Sequence, residues 1–235
     1  MGKILLLALM ALPTIPYRIA LAELPGHWQR HAPMPSARTE VAAVELGGKI
    51  YVIGGYEKGG NLIEEYDPGT DRWRGRAPLP KPLHHTGAAV VSGKIYVIGG
   101  YVSGTGSVDS VYEYDAVADR WNAKTPMPTA RGALAVGVIG GKIYAIGGVG
   151  NNGKNVNANE EYDPAEDRWT KRAPMLTPRD HLAAGVANGN GTSDDNFGVF
   201  QYTASGALDT TFGSSGVHER PRNRIVRRVP LGRHD

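Results

Sequence analysis

The sequence contains no cysteine, and this absence excludes disulfide bonds and thiolate metal sites. Glycine and proline are by contrast abundant, at 32 and 16 of 235 residues. Because 41% of the residues are apolar, the chain has enough apolar side chains for a folded core. The glycines therefore indicate turns and not disorder.

The central part of the chain also lacks an excess of positive charge. The formal net charge is +3, but six arginines stand in the last 18 residues, and residues 23–217 carry 18 basic and 21 acidic side chains. Nucleic-acid-binding domains present a basic patch, so we expect no nucleic-acid partner. Residues 218–235 have no apolar period and are predicted to form a basic, disordered tail.

The amino terminus differs in composition from everything that follows. Lys3 precedes an apolar run over residues 4–12, and Ala20-Leu21-Ala22 places small residues where a signal peptidase cleaves. This pattern predicts a signal peptide over residues 1–22, a secreted or periplasmic location, and no membrane attachment after cleavage. A short membrane anchor is the alternative, although the apolar run is too short to span a bilayer.

One apolar motif recurs three times and organises the chain. Each copy begins with Gly-Lys, continues through β-branched and aromatic residues, and ends in a glycine pair. The copies occupy residues 48–55, 93–100 and 141–148, which are 45 and 48 residues apart. Such a run is typical of a strand buried on both faces. A glycine pair at its end permits positive φ or the close approach of another backbone.

Other landmarks keep the same interval. The four tryptophans are 45, 48 and 48 residues apart, and the tyrosines of the three Glu-Tyr-Asp motifs are 48 apart. A fixed period of this length indicates a repeat architecture, and aromatic residues at that period are predicted to fill the space between units. The residues predicted to be structural in each repeat are Gly54, Gly55, Tyr66, Trp73, Gly99, Gly100, Tyr114, Trp121, Gly147, Gly148, Tyr162 and Trp169.

Each repeat contains four short segments of strand composition. In the first repeat these are residues 39–46, 49–53, 63–66 and 72–76, and the first strands of the later repeats are predicted at residues 84–91, 132–139 and 181–187. Four strands in one such unit form one blade of a β-propeller. The sequence therefore predicts an all-β propeller with three full blades and a partial fourth, an incomplete ring. The blades are assigned to residues 36–80, 81–128 and 129–176, with the partial blade from residue 177.

The combined pattern of Gly-Lys-Ile-Tyr-Val-Ile-Gly-Gly, Glu-Tyr-Asp-Pro, Asp-Arg-Trp and Pro-Met-Pro resembles the kelch repeat over residues 26–187. The resemblance implies a kelch-type β-propeller domain over residues 23–187. Complete rings of this family usually have about six or seven blades and often close through an amino-terminal strand, a role that residues 28–30 fit. Some kelch-type propellers are copper radical oxidases, but their cofactor needs a cysteine. We therefore predict no such activity, no cofactor and no metal site.

Residues 188–217 depart from the repeat and are predicted to form a divergent β-hairpin segment. Residues 197–213 contain Tyr202, Gly206 and the run Leu208-Asp209-Thr210-Thr211-Phe212-Gly213, a pattern similar to the short bacterial delta-sixty type β-repeat. Two strands from this segment would finish the fourth blade. The alternative is that the segment joins unrelated parts of the chain.

Alignment of the repeats on their glycine pairs gives the candidate site. One position holds Arg38, Leu83, Arg131 and Arg179, and the position two residues later holds Glu40, His85, Ala133 and His181. In kelch propellers the first strand lines the central channel, so the resemblance places these side chains at its mouth. Arginines there suit carboxylates through bidentate hydrogen bonds. The alternative is that they bond loop carbonyls and hold the blades in register. The predicted ligand-binding residues are Arg38, Glu40, His85, Arg131, Arg179 and His181.

Three hypotheses for function follow. The first is an exported binding module that recognises a protein or a glycan through face loops such as residues 101–109 and 149–159, which differ between repeats. The second, implied by the resemblance, is a sialic acid mutarotase in which Arg38, Glu40, His85 and Arg131 bind the sugar carboxylate and move a proton. The third is a truncated or composite propeller without independent function. A homodimer in which two half-rings complete one another is one way to close the propeller, and closure of a four-blade ring by the carboxyl-terminal segment is the alternative.

Overall fold

A computed structural model describes the protein over residues 28–56, 60–188, 195–200 and 217–218. The chain divides into two compact units, residues 1–31 and 32–235, and every strand below belongs to the second unit. The predicted signal peptide, most of the delta-sixty-like pattern and the basic tail lie outside the described residues. Residues 28–31 form no strand, so the closing strand expected at residues 28–30 is not formed. No helix within the described ranges is long and apolar enough to cross a membrane.

Three four-stranded antiparallel sheets, the blades, make up most of the fold. Blade 1 comprises β1 (Ala42–Leu46), β2 (Lys49–Ile53), β3 (Ile63–Asp67) and β4 (Arg72–Gly75). Blade 2 comprises β5 (Gly87–Val91) and β6 (Lys94–Ile98), then β9 (Val111–Asp115) and β10 (Arg120–Lys124), and the short hairpin β7 (Tyr101–Val102) and β8 (Gly106–Ser107) stands between the two pairs. Strand order follows chain order within each blade.

Blade 3 has the same four-stranded plan with one short additional pair. Its strands are β12 (Ala135–Ile139), β13 (Lys142–Ile146), β15 (Asn159–Asp163) and β16 (Arg168–Lys171), while β11 (Arg131–Gly132) pairs with β14 (Val149–Gly150). A three-stranded sheet follows, made of β17 (Ala183–Asn188), β18 (Asp195–Phe200) and β19 (Val217–His218). The all-β propeller with three full blades and a partial fourth is therefore confirmed.

The first strand of each blade begins later than its composition predicts. The predicted strands start at residues 39, 84, 132 and 181, whereas β1, β5, β12 and β17 start at residues 42, 87, 135 and 183. A residue with positive φ precedes each start, since φ is 54° at Glu40, 54° at His85, 53° at Ala133 and 46° at His181. A left-handed residue interrupts a strand, so pairing with the second strand begins only after it.

The glycine pairs allow one blade to contact the next through backbone atoms alone. A Cβ on Gly99, where φ is 61°, would lie 2.4 Å from the carbonyl oxygen of Arg131 in the next blade. The following amide, Gly100 N, donates to that same oxygen at 3.0 Å. The pairs Gly54-Gly55 and Gly147-Gly148 make the equivalent contacts with the carbonyls of Leu83 and Arg179.

A cluster of tyrosine, aspartate and tryptophan fastens each blade to the segment that precedes it. In blade 2, Tyr114 donates from its hydroxyl to Asp119, and Asp119 accepts from the amide of Ala77 at 2.9 Å. The indole of Trp121 donates to the carbonyl of Ala77, also at 2.9 Å. Blades 1 and 3 repeat this arrangement with Tyr66, Asp71, Trp73 and Ala32, and with Tyr162, Asp167, Trp169 and Thr125.

The apolar core lies between neighbouring blades. Tyr51 and Ile53 of blade 1 pack with Ile95 and Val97 of blade 2, and a matching cluster joins blades 2 and 3. The outer face of blade 1 differs from these buried faces. Ile50 is 40% exposed, although Ile95 and Ile143 at the same repeat position are fully buried. Within the second unit, blade 1 therefore presents an uncovered apolar position.

Candidate ligand site at the channel mouth

The first strands of neighbouring sheets pack side by side, β1 with β5, β5 with β12 and β12 with β17. Main-chain hydrogen bonds join the residues just ahead of them. The amide of His85 donates to the carbonyl of Glu40 at 3.1 Å, that of Ala133 to His85 at 2.8 Å, and that of His181 to Ala133 at 3.0 Å. We call these four residues the mouth ring. Because all four have positive φ, the backbone has the same local conformation at each of them, just ahead of the first strand.

The residues immediately ahead of the mouth ring contact the loops that follow the glycine pairs. Thr39 forms an antiparallel bridge with Tyr56, and His84 forms one with Tyr101. In blade 3 the same pairing becomes the short β11–β14 ladder, in which Gly132 opposes Val149. The loops predicted to bind ligand, residues 101–109 and 149–159, therefore begin beside the mouth ring.

Three side chains of the mouth ring come together. Glu40 Oε2 lies 3.3 Å from His85 Nε2, and the rings of His85 and His181 are 5.1 Å apart at their centroids. One potential ligand atom from each of the three residues lies within 4.8 Å of the other two. The fourth member, Ala133, has no polar side chain. The sequence placed Glu40, His85 and His181 in one region, but predicted no metal site there.

Aromatic and imidazole rings surround this group. His84 Nδ1 lies 2.7 Å from His85 Nδ1, and His84 stacks on Tyr101 with ring centroids 5.6 Å apart. Tyr56, which is 48% exposed, packs edge-on against His84 at 4.9 Å. Burial lowers the pKa of both histidines below the ordinary 6.5, and for His85 the carboxylate of Glu40 opposes that shift.

His181 is held from its other side. Its Nδ1 lies 2.9 Å from Asp180 Oδ2, and Asp180 Oδ1 accepts a hydrogen bond from the side-chain amide of Asn155 at 2.9 Å. Sequence reasoning did not single out His84, Asp180 or Tyr56, and it included Tyr101 only within the predicted binding loop of residues 101–109. The repeat alignment that identified the mouth ring could have identified all four. His84 and Asp180 stand one residue before a mouth-ring position, and Tyr56 and Tyr101 stand one residue after a glycine pair.

Two of the arginines predicted to bind ligand, Arg38 and Arg131, form buried ion pairs. Arg38 is fully buried at its side chain, where it pairs with Glu64 at 2.6 Å and donates to the carbonyls of Gly54 and Leu62. Arg131 is also fully buried, and it pairs with Glu160 at 2.5 Å and donates to the carbonyl of Ala145 at 2.8 Å. These contacts fit the structural alternative, in which the two guanidinium groups hold loop carbonyls and neighbouring strands together, and their ligand-binding role stays a prediction.

In blade 2, uncharged residues stand at both positions of this buried ion pair. Leu83 replaces the arginine, and Tyr112 replaces the glutamate at the position equivalent to Glu64. Leu83 is fully buried and Tyr112 is 7% exposed. In the fourth repeat, Arg179 occupies the position equivalent to Arg38 and Arg131. Its main-chain carbonyl accepts a hydrogen bond from Gly148 N at 2.7 Å. The ligand-binding role of the Arg179 side chain stays a prediction.

Comparisons with known proteins agree with this architecture. Residues 26–190 match the family described as the KLHDC2/KLHL20/DRC7 Kelch-repeats domain. Among solved structures, one described as "Structure of YjhT" is similar, with a TM-score of 0.63 and 21% sequence identity. The match covers 76% of this chain and 64% of the other, so this chain spans less than two thirds of that protein's length. A search of curated proteins gave no match.

Proposed function

Because the chain belongs to the kelch-repeat family, we propose that it is an exported interaction module that binds a protein partner across the face bearing the mouth ring. The observation that carries the proposal is the grouping of Tyr56, His84, Tyr101 and His85 on that face, with ring contacts between 4.9 and 5.6 Å. Tyrosine is enriched in protein interfaces because one side chain offers a large apolar surface and a polar tip.

The loops beside the mouth ring support the same proposal. They start from fixed main-chain bridges but differ in sequence, as recognition loops on a rigid scaffold do. Ser107 of one loop donates to Asn151 of the next at 2.7 Å, so two neighbouring loops are linked. A partner that contacts both loops and the rings would bind loops that are already linked, so little conformational entropy would be lost in ordering them.

The mutarotase alternative has less support. Glu40 and His85 form a carboxylate–imidazole pair that can move a proton. However, Arg38 and Arg131, which would hold the sugar carboxylate, are buried against Glu64 and Glu160. We therefore expect the chain to give no acceleration of sialic acid anomerisation, measured by following the two anomers with NMR.

The test of the binding proposal compares two single-residue variants on protein and glycan arrays. Tyr56→Ala removes an exposed ring from the mouth face, whereas Val117→Ala is a matched control at a turn where the side chain is 98% exposed. We expect protein ligands that are lost with Tyr56→Ala and kept with Val117→Ala. Ligands found only on the glycan array, or signals unchanged in both variants, would contradict a protein partner at this face.

The exported location rests on the composition of residues 1–22. If it is correct, the chain recovered from a secreting bacterial host begins at Glu23. Mass spectrometry of the intact protein checks this, and a chain that keeps residues 1–22 contradicts export.

A further inference from the structure

We propose that Glu40, His85 and His181 bind a divalent first-row transition metal ion, and that Zn²⁺ suits the site best. The three residues stand just ahead of the first strands of three different sheets, and their potential ligand atoms lie within 4.8 Å of one another. The inference concerns the mouth ring alone, and it does not depend on the protein partner proposed above.

The donor set selects the class of metal. Two imidazole nitrogens and one carboxylate oxygen suit Zn²⁺ and its first-row neighbours, whereas Ca²⁺ and Mg²⁺ prefer oxygen ligands throughout. No cysteine is present in the sequence to favour softer ions. The exposed fractions of the Glu40, His85 and His181 side chains are 44%, 18% and 57%, so an ion can reach the group from solvent.

The distances fit a metal site that needs little rearrangement. With metal–ligand bonds of about 2.1 Å, two ligands of a tetrahedral ion stand roughly 3.4 Å apart. Glu40 Oε2 and His85 Nε2 already lie 3.3 Å apart. The ligand atom of His181 lies within 4.8 Å of the other two, and His181 is the most exposed of the three side chains, so it has room to move closer when an ion binds.

The backbone fixes the origins of the three side chains. The main-chain bonds of the mouth ring, between 2.8 and 3.1 Å, tie Glu40 to His85 and, through Ala133, tie His85 to His181. Each ligand leaves a residue with positive φ, which restricts the backbone further. A ring of ligands held by such bonds loses little conformational entropy when an ion binds.

The second nitrogen of each histidine is already engaged. His85 Nδ1 contacts His84 Nδ1 at 2.7 Å, and His181 Nδ1 contacts Asp180 Oδ2 at 2.9 Å. Nε2 is therefore the nitrogen that each imidazole offers to an ion. Histidines that ligate metals are commonly oriented in this way by a partner on the other ring nitrogen, and a carboxylate such as Asp180 also raises the basicity of the ligand.

Ala133 leaves one side of the site without a protein ligand. It occupies the fourth position of the mouth ring and carries only a methyl group. A zinc ion with three protein ligands keeps a fourth position for water or for an atom of a bound ligand. An ion bound here would therefore keep a coordination position that no protein side chain fills.

The experiment is a calorimetric titration of the metal-stripped full chain with Zn²⁺ alone. We expect one ion per chain, a rise in melting temperature on binding, and a visible absorption band when Co²⁺ replaces Zn²⁺. Glu40→Gln, His85→Gln and His181→Gln each abolish this site. Glu166→Gln is the matched control, because Glu166 is exposed and lies outside the mouth ring, and it keeps wild-type binding.

Two further variants keep the test decisive if a ligand variant misfolds. Asp180→Asn leaves the three ligands in place and weakens Zn²⁺ binding about 10–100-fold through the orientation of His181. Ala133→His supplies a fourth ligand, at a position where histidine accepts positive φ, and tightens binding. Zn²⁺ affinity unchanged by both variants, or equal in wild type and His181→Gln, overturns the proposal. Failure on the protein array would leave this result untouched, since the titration contains no protein partner.

Discussion

Arg131 and Glu160 form a buried ion pair at a position that recurs between the repeats. Both side chains are buried, and the guanidinium has two carbonyl partners besides the carboxylate. Burial lowers the pKa of Arg131, while Glu160 opposes that shift and keeps the group charged. Removal of one partner leaves a buried charge uncompensated, whereas exchange of both for apolar or aromatic groups removes the desolvation cost entirely.

The exchange seen in blade 2 gives a quantitative prediction. Arg131→Leu alone should lower the free energy of unfolding by about 3–5 kcal/mol, because Glu160 remains buried without its partner. The double variant Arg131→Leu with Glu160→Tyr copies Leu83 and Tyr112 and should recover most of this loss. Urea unfolding of the four members of the cycle measures the coupling. A double variant no more stable than Arg131→Leu would show that the pair contributes nothing beyond its separate residues.

Sequence alone located the mouth ring but not the direction of its arginines. Equal spacing from the glycine pairs identified Glu40, His85 and His181 as neighbours. The arginines stand two residues before the mouth ring. The backbone turns at the left-handed mouth-ring residue, so spacing alone does not show that an arginine side chain points in a different direction from the mouth-ring side chains. The pairing with Glu64 and Glu160 was visible only as the joint change to Leu83 and Tyr112 in blade 2.

At the scale of the strand pair, a lysine and an aspartate pair across the second and third strands of each of the three full blades. Lys94, at the start of β6, pairs with Asp115, at the end of β9, at 2.6 Å. The lysine hydrogen bond, then the amide of Ala118, lowers the pKa of Asp115 to about 2. Lys49 with Asp67 and Lys142 with Asp163 repeat the pair, and the lysine is the largest cause of the lowered pKa of each aspartate.

These aspartates predict an acid-sensitive fold. A carboxyl group whose pKa is lower in the folded chain stabilises the fold above its unfolded value of 3.8, and this contribution is lost as pH falls towards 2. Asp115→Asn should therefore reduce the slope of melting temperature against pH between about pH 4 and pH 2. Scanning calorimetry at several pH values checks this. A slope equal to that of the wild type would show that Asp115 has the same pKa in the folded and unfolded chain.

The strands themselves were predictable because the repeat interval, the glycine pairs and the turn residues indicate the same four strands in each repeat. The strand starts were not, because composition does not show that Glu40, His85, Ala133 and His181 adopt positive φ. None of the four is glycine, the residue that usually signals this conformation. The short strands β7, β8, β11 and β14 were missed for a related reason, since two-residue ladders have no periodicity to detect.

At the scale of the molecule, the uncovered face of blade 1 predicts self-association. Ile50 is 40% exposed where Ile95 and Ile143 are buried by a neighbouring blade. Propellers typically close with four to eight blades, and two copies of this chain together supply six full blades and two partial ones. We propose that a second copy covers the face that contains Ile50.

Light scattering of the full chain tests this prediction. We expect twice the chain mass of 25.1 kDa for the wild type. Ile50→Lys should shift the mass to that of a monomer, because it places a charge in the apolar contact. Val117→Lys adds the same charge at a turn and should leave the mass unchanged. A wild-type monomer with a sharp melt would show instead that the partial fourth sheet suffices to close the fold.

The main-chain bonds of the mouth ring have a consequence for how such a protein diversifies. Because backbone amides and carbonyls join the blades there, these main-chain bonds form whichever side chains the four positions of the mouth ring carry. Glutamate, alanine and two histidines already occupy equivalent positions within this one chain. Substitution at these positions can therefore explore new recognition chemistry while the scaffold stays the same, and the ring is a natural place to build a combinatorial library.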